Sequence, residues 1–540
     1  MPNSEKPRSP QLEAAAAEAR PGLAWRGLDL AQWTRIAAYG LPALWAVGYL
    51  LPPLNYDVAS LLAYSERWWA GERLYVDLID VNPPLIFLLG LVPVALGKIT
   101  GLTSAAVYVP LVLALTAWSL WQSEKIWRRL LAPGSVLALL LPALAAYALI
   151  VVPRWEYGQR EHLLAIALLP WLSALALRAE GVRLERREAL ATALTAALFI
   201  ALKPHFLAYA VLGEGLVLLR RGPRAWLRQV EPWAMLGLFL AYALFVFVAM
   251  PDYFRHTLPL LTDYYLKLGQ GSIAGVLFGR QVVPALIGIL ALGTVAWFVL
   301  RDRLGAIYAG FGLAALLIGA AQAKGWMYHI LPGYIAALLL FAVVLGRAIE
   351  RLAGSGGEAR IDPRAHALAV LSVLGLVYGA TATYFTPGFR YFEYVAQVDA
   401  RLERLIRLES HRQPVLPLSP GISPFYPVLN YTESPMAMRF QTMWMVQGAY
   451  KDCLASGRLY REPAQMPKGE AFAYEAVIAD FLKFRPKLVI LDTFPGIPRC
   501  LARPFNYLDY FARDARFAEG FKAYEQIDQF DRYVVYRRRS

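Results

Sequence analysis

Residues 34–57 read TRIAAYGLPALWAVGYLLPPLNYD, and the reading of this stretch decides the fold. Thr34 to Leu54 is an apolar run long enough to cross a bilayer, which takes about 20 residues. Asn55-Tyr56-Asp57 then sets an ionisable carboxylate at the mouth of that first span. A carboxylate there is costly unless it has a partner or a task. Comparable apolar runs recur as far as residue 386. Of 540 residues, 58% are hydrophobic and 17% charged, against about 25% charged in soluble globular chains. The chain therefore reads as a polytopic α-helical membrane protein, and a soluble one is excluded.

The net charge is +14. The basic residues cluster in short loops between apolar runs, which is the pattern that orients membrane proteins with the positive loops inside. No nucleic-acid-binding motif accompanies them, so no nucleic acid is expected as a partner. The clusters are Lys125/Arg128/Arg129, Arg178/Arg183/Arg186/Arg187, Arg220/Arg221/Arg224/Arg228, Arg301/Arg303 and Arg347/Arg351/Arg360/Arg364. The turns between them, near 154–162, 203–205, 251–272 and 323–329, then lie outside with the loop 55–83. The expected spans are 34–54, 135–153, 162–177, 189–203, 205–219, 233–250, 274–300, 304–322, 329–346 and 366–386. The stretch 84–121 holds two apolar pieces, 84–97 and 103–121, and must cross an odd number of times. The first contains Pro93 and reads as a half-span. The total is about 11 spans.

Three regions follow. Residues 1–33 lack the order of a cleavable signal and read as a cytoplasmic tail. Residues 34–386 form the membrane domain. Residues 387–540 form an exported α/β domain, with short strands at Val415–Leu418, Pro486–Asp492 and Tyr533–Tyr536 and an amphipathic helix at 471–484. Cys453 and Cys500 both fall in it and either pair there or remain free thiols. Gly354 to Gly357 reads as a flexible inner loop, and Glu214, isolated in an apolar run, as structural.

The outer loops hold the candidate chemistry. After Asp57, residues Val58, Leu61, Leu62, Ser65, Trp68 and Trp69 recur at helical spacing. They predict an interfacial helix with its tryptophans at the lipid headgroups. Asp57 is either a functional carboxylate or only that helix's N-cap. The loop continues with Tyr75, Asp77, Asp80 and Asn82, groups suited to a polyhydroxylated ligand. The second turn, Arg154-Trp155-Glu156-Tyr157-Gly158-Gln159-Arg160-Glu161-His162, is dense in charge. Its two arginines run against the orientation rule, and an anionic partner explains them, since guanidinium binds phosphate bidentately. The alternative is an internal Glu156–Arg160 pair at i, i+4. Lys203 with His205, and Lys324 with His329, add a cation and a histidine at two further outer ends. Four of the six histidines, His162, His205, His256 and His329, fall at predicted outer ends, which points to one shared cavity, although each is equally a capping group when taken alone. Walker-type and dinucleotide glycine patterns and zinc spacings are absent.

Over residues 55–90 the chain resembles the GT-C superfamily of polytopic glycosyltransferases, with the protein O-mannosyltransferases and the lipid A aminoarabinose transferase as the nearest look-alikes. The shared features are an acidic residue just after the first span, here Asp57, and a first outer loop ending in Gly71, Tyr75, Asp77 and Pro83-Pro84-Leu85. The resemblance implies an inverting hexosyl- or pentosyltransferase that moves a sugar from a polyprenyl-phosphate donor to a glycan, lipid or protein acceptor on the outer face of a bacterial inner membrane. It also implies that Asp57 is the general base. The chemistry agrees, because an acceptor hydroxyl needs a base within hydrogen-bond reach and the leaving phosphate needs cations. Arg154, Arg160, Lys203 and Lys324 are the candidates for the second task. Asn82 stands where the aminoarabinose transferase has lysine and the mannosyltransferases have histidine. Val58 stands where a second acid often follows in the mannosyltransferases. No cofactor is expected, and a divalent metal would take Asp77, Asp80 and Glu156. Membrane lipids complete the expected partners.

Two other readings compete. A transporter or flippase of lipid-linked sugars would carry ionisable residues near mid-bilayer, whereas here they sit at outer helix ends. A non-catalytic assembly factor would act through residues 387–540 alone.

Overall fold

A computed structural model describes residues 30–133, 135–268, 271–354, 363–382, 387–500 and 503–539. Most of the expected tail, the inner glycine-rich loop at 355–357 with Arg360, and the end of the last expected span at 383–386 lie outside the described residues. The apolar runs form helices. They are α1 (Leu30–Val47), α2 (Tyr56–Trp69), α3 (Leu85–Thr100), α4 (Ser104–Leu130), α5 (Val136–Ile150), α6 (Arg160–Glu180) and α7 (Arg186–Ile200). Then follow α8 (Leu207–Arg221), α9 (Glu231–Ala249), α10 (Val283–Thr294, carried on by a wider turn Val295–Leu300), α11 (Arg303–Ala321), α12 (Met327–Gly354) and α13 (Pro363–Ala382). Among the described residues, six helices are long and apolar enough to cross a membrane: α4, α6, α9, α10 with its extension, α11 and α12.

Helix α6 is the axis of the bundle. It is buried along its length and touches α4, α7, α8, α11 and α12. Helix α9, of similar apolarity, leaves Leu240, Leu244, Phe247 and Val248 exposed. An apolar outer surface of this kind is what lipid covers. Small residues bring helices together, because lipid supplies no hydrophobic drive between them. A Cβ on Gly319 of α11 would lie 2.6 Å from the His329 carbonyl oxygen of α12.

The basic clusters gather at one end of the bundle. Arg129 pairs with Glu188 at 2.7 Å, Arg303 with Glu180 at 2.9 Å and Arg347 with Asp302 at 2.9 Å. Asp57 and the charged turns lie at the other end. Two details depart from the sequence reading. Residues 274–300 are not one span: a short helix, Ile273–Leu277, is followed by a non-helical stretch over 278–282 before Pro284 sits in the first turn of α10. Helix α2 does not lie openly at an interface. Val58, Leu61, Leu62, Tyr64, Ser65 and Arg67 are buried between α3 and the C-terminal segment, and of its two tryptophans only Trp69 is exposed.

Both ends of α3 stay at the Asp57 end. Its N-terminal Leu85 amide donates to the Tyr242 hydroxyl at 3.1 Å. Lys98 near its C-terminus shares a cavity with Glu66, Asn430 and Glu433. Helix α4 starts beside them, Ser104 donating to Glu66, and reaches the basic end at Arg129.

The C-terminal part carries a four-stranded sheet in the order β1-β2-β4-β3, from β1 (Val415–Leu418), β2 (Leu488–Asp492), β3 (Tyr524–Phe530) and β4 (Tyr533–Arg538). β1 runs parallel to β2 with Val415 opposite Leu488, while β4 is antiparallel to both β2 and β3. Helix α14 (Lys468–Phe484) packs in the same part, and Cys453 and Cys500 are joined by a disulfide. This part is stitched onto the first loop. The Tyr64 hydroxyl and the Ile79 amide both donate to the Arg439 carbonyl at 2.7 Å, and Arg67 donates to the Met438 carbonyl at 2.8 Å.

Candidate active site

Helix α2 begins with a cap that frees Asp57. The Asn55 side chain accepts from the amides of Asp57 at 3.0 Å and Val58 at 3.2 Å. Asn55, not Asp57, is therefore the N-cap, and the Asp57 carboxylate in the first turn turns to other partners. Gln159 Nε2 donates to Asp57 Oδ2 at 2.8 Å and to Asn55 Oδ1 at 3.0 Å. Asn55 Nδ2 in turn donates to the Trp155 carbonyl at 2.7 Å. The first loop and the 154–162 turn are locked together at this carboxylate.

Asp57 faces a cavity of about 610 Å³. Asp80, Asn82, Glu156 and Arg160 share its wall, with Tyr265, Trp326 and Tyr328 beside them. Its roof is Pro420 to Ser423, Gln441, Thr442, Trp444 and Gln447 of the C-terminal part. Asp80 is buried and accepts from both the amide and the side chain of Asn82 at 2.7 Å. Asn82 receives the Arg160 guanidinium. The alternative Glu156–Arg160 pair is not formed among the described residues; the arginine reaches across to the first loop instead.

A second layer stands behind the wall. Lys203 Nζ donates to Glu161 Oε1 at 2.5 Å, both groups being buried. The Lys203 ammonium lies 5.5 Å from the Tyr328 ring and the Arg160 guanidinium 5.9 Å from it, so aromatic faces support both cations. Lys324 Nζ sits 3.2 Å from the Tyr265 ring centre.

Several buried polar atoms here have no hydrogen-bond partner among the described residues: Glu156 Oε2, Gln159 Oε1, Arg160 Nε, Glu161 Oε2, His329 Nδ1 and Gln441 Nε2. Buried polar groups are almost always satisfied, so such a concentration is left for a ligand or ordered water. Burial pushes the Asp57 carboxyl above the usual range, opposed by Arg160 and Gln159 and reinforced by Glu161. Burial also raises Asp80, and raises Glu156 to about 7 with Asp57 and Glu161 adding to the shift. Burial, with Lys203 and Arg160 close by, brings Lys324 down to about 7.

Other expected site residues lie elsewhere. Asp77 turns away and pairs with Arg73 at 3.0 Å, which holds its carboxyl low. Tyr75, at φ 68°, pins the loop by donating to the Asn82 carbonyl at 2.7 Å. His162 is a satisfied core group: Nδ1 accepts from the Gly158 amide at 3.0 Å, and Nε2 lies 2.7 Å from the Leu149 carbonyl. His205 is exposed against Phe206, and His256 contacts the Tyr75 carbonyl at 3.0 Å. Arg154 is exposed outside the cavity wall, its carbonyl accepting from Arg390 at 3.2 Å. The four histidines do not share one cavity; His329, buried beside Tyr328, and His205, within electrostatic reach of Lys203, Glu161 and Arg160, stand near the charged cluster. No three His, Cys, Asp or Glu converge as a metal-binding set among the described residues. The roof residues were missed, because 420–447 carries no motif and comes together with Asp57 only through the long-range stitching to the first loop.

No family model and no curated protein matches the chain. Among solved structures it is similar to the apo crystal structure of an oligosaccharyltransferase from Archaeoglobus fulgidus, at 12% identity and a TM-score of 0.42, covering 85% of this chain and 70% of that one.

Proposed function

We propose that the protein is an inverting glycosyltransferase that moves a sugar from a polyprenyl-phosphate donor to an acceptor hydroxyl on the outer face of a bacterial inner membrane. The observation that carries the reading is Asp57, relieved of capping by Asn55 and aimed by Gln159 into a roofed cavity with unsatisfied polar walls. The acceptor oxygen attacks the anomeric carbon while Asp57 takes its proton. The bond from that carbon to the phosphate oxygen breaks, and the polyprenyl phosphate leaves with the electron pair. Attack opposite the leaving group inverts the centre. Arg160 offers its unpartnered Nε to the phosphate, and Lys203, held by Glu161, adds charge behind it. Asp80 and Asn82 present hydrogen-bonding groups to the sugar. A carboxyl raised by burial is the stronger base for this task.

The topology we read has eleven crossings, α1 and α4 to α13, with α3 lying at the outer side. The N-terminus is then cytoplasmic and residues 387–540 periplasmic, where an oxidising compartment suits the Cys453–Cys500 disulfide. The test is a panel of radiolabelled polyprenyl-phosphate sugars in proteoliposomes with glycan, lipid and protein acceptors. Label joined to an acceptor with inverted configuration supports the reading. Movement of the donor across the bilayer with no new glycosidic bond would replace it with transport.

A further inference from the structure

Five arginines converge on a second cavity, of about 220 Å³, at the end of the bundle away from Asp57. Arg178, Arg183, Arg186, Arg221 and Arg228 line it, and Glu231 is the one acid in its wall. It forms where the turn after α6 meets the connection from α8 to α9. Helix α6 has 21 residues, so the site stands roughly 30 Å along the bundle from Arg160.

The floor is closed. Arg178 donates to both oxygens of Glu214 at 2.6 and 2.8 Å and to Gln229 at 2.7 Å, and its Nε lies 3.4 Å from Glu231. The rim is open. Arg183, Arg186, Arg221 and Arg228 make no ion pair or hydrogen bond among the described residues. Five arginines against Glu214 and Glu231 leave three positive charges unmatched. The rim is also built. Gly181 has φ 87°, and the Arg221 guanidinium lies so close over it that a Cβ there would sit 2.6 Å from Cζ. Orienting a membrane protein requires basic residues on these loops; it does not require four of them to meet in one cavity. On the same α8–α9 stretch of chain, Leu219, Leu227 and Trp233 are exposed, apolar groups of the kind found at headgroup depth.

We propose that this cavity binds a phosphate-bearing group, either the headgroup of an anionic phospholipid from the adjoining leaflet or a soluble phosphate compound. Guanidinium forks match phosphate oxygens bidentately, and basic pockets between membrane helices take anionic headgroups. The occupant bridges the α6–α7 and α8–α9 connections, so binding stabilises the fold without taking part in chemistry at Asp57.

The experiment uses the full chain in nanodiscs of phosphatidylcholine alone, of phosphatidylcholine with phosphatidylglycerol, and of phosphatidylcholine with millimolar inorganic phosphate. Thermal unfolding is followed in each. We expect the occupied state to melt roughly 3–5 °C higher. The rise is lost in the triple variant R183Q/R221Q/R228Q and kept in R187Q, which alters the first turn of α7 outside the cavity wall. A rise with phosphatidylglycerol assigns a lipid headgroup, and a rise with phosphate assigns a soluble source. Should the triple variant fail to fold, R221Q alone should need roughly tenfold more phosphatidylglycerol or phosphate for half its effect. No rise with either probe, or the same loss in R187Q as in the cavity variants, overturns the proposal.

Discussion

Helix α6 carries a buried arginine at each end, and the two are treated oppositely. Arg178 has its guanidinium matched by Glu214, Glu231 and Gln229. Among the described residues the Arg160 side chain hydrogen-bonds Asn82 and faces the Tyr328 ring, while its Nε has no partner, among carboxylates and amides that are also left short. A buried charge that is fully met holds helices together; a buried charge left short has been set aside for something that arrives. The difference separates scaffold from site along one helix.

Substitution should break the comparison most sharply at these two positions. Arg178→Met strands two buried glutamates and should cost on the order of 3–5 kcal/mol of stability, while the surviving folded protein keeps its transfer rate. Arg160→Met should cost about 10²–10³ in transfer with a much smaller change in melting. Thermal unfolding beside a transfer assay on the same preparations separates the two, and equal loss of stability in both would erase the distinction.

Gln159→Leu sharpens it further. It removes a hydrogen bond to a charged group, for which about tenfold in rate is expected. The pH profile should move as well. Asp57 must be ionised to act as base, so activity falls as pH drops through its raised pKa. Gln159 holds that pKa down, so the variant's acid limb should shift to higher pH. A limb that stays or moves lower contradicts the assigned role.

The smallest effects belong to residues that the sequence nominated and the fold set aside. Asp77→Asn and His205→Gln should change transfer less than about twofold, since neither side chain lines the cavity that Asp57 faces and an exposed ion pair such as Arg73–Asp77 contributes little. A large loss in either would reopen the boundary of the site.

The helical layout was legible because apolar runs and basic loops report directly on crossing a membrane. The place of Asp57 at the start of a helix just after the first apolar run was legible, and so were β1, β2 and β4 from short apolar stretches. β3, Tyr524–Phe530, was missed: Glu525, Gln526, Asp528 and Gln529 leave little apolar pattern on an edge strand. Charge density drew attention to the 154–162 turn but did not tell which of its side chains face the cavity. Within nine residues, Glu156 and Arg160 reach the cavity, His162 is satisfied in the core and Arg154 is exposed outside. That sorting depends on the roof, which comes from residues 420–447, far along the chain. The Cys453–Cys500 bond, the reach of Arg160 to Asn82 and the capping role of Asn55 also depend on contacts that spacing alone does not encode.

The central claim rests on one carboxylate, so the most direct measurement compares wild type with Asp57→Asn for transfer of label from a polyprenyl-phosphate sugar in reconstituted vesicles. Asparagine preserves size and the contact with Gln159 while removing the base. The account predicts a loss of about 10²–10⁴ in rate at unchanged expression and melting. Full transfer in the variant would contradict it, and would move the search for the base to Asp80 and Glu156 on the same wall.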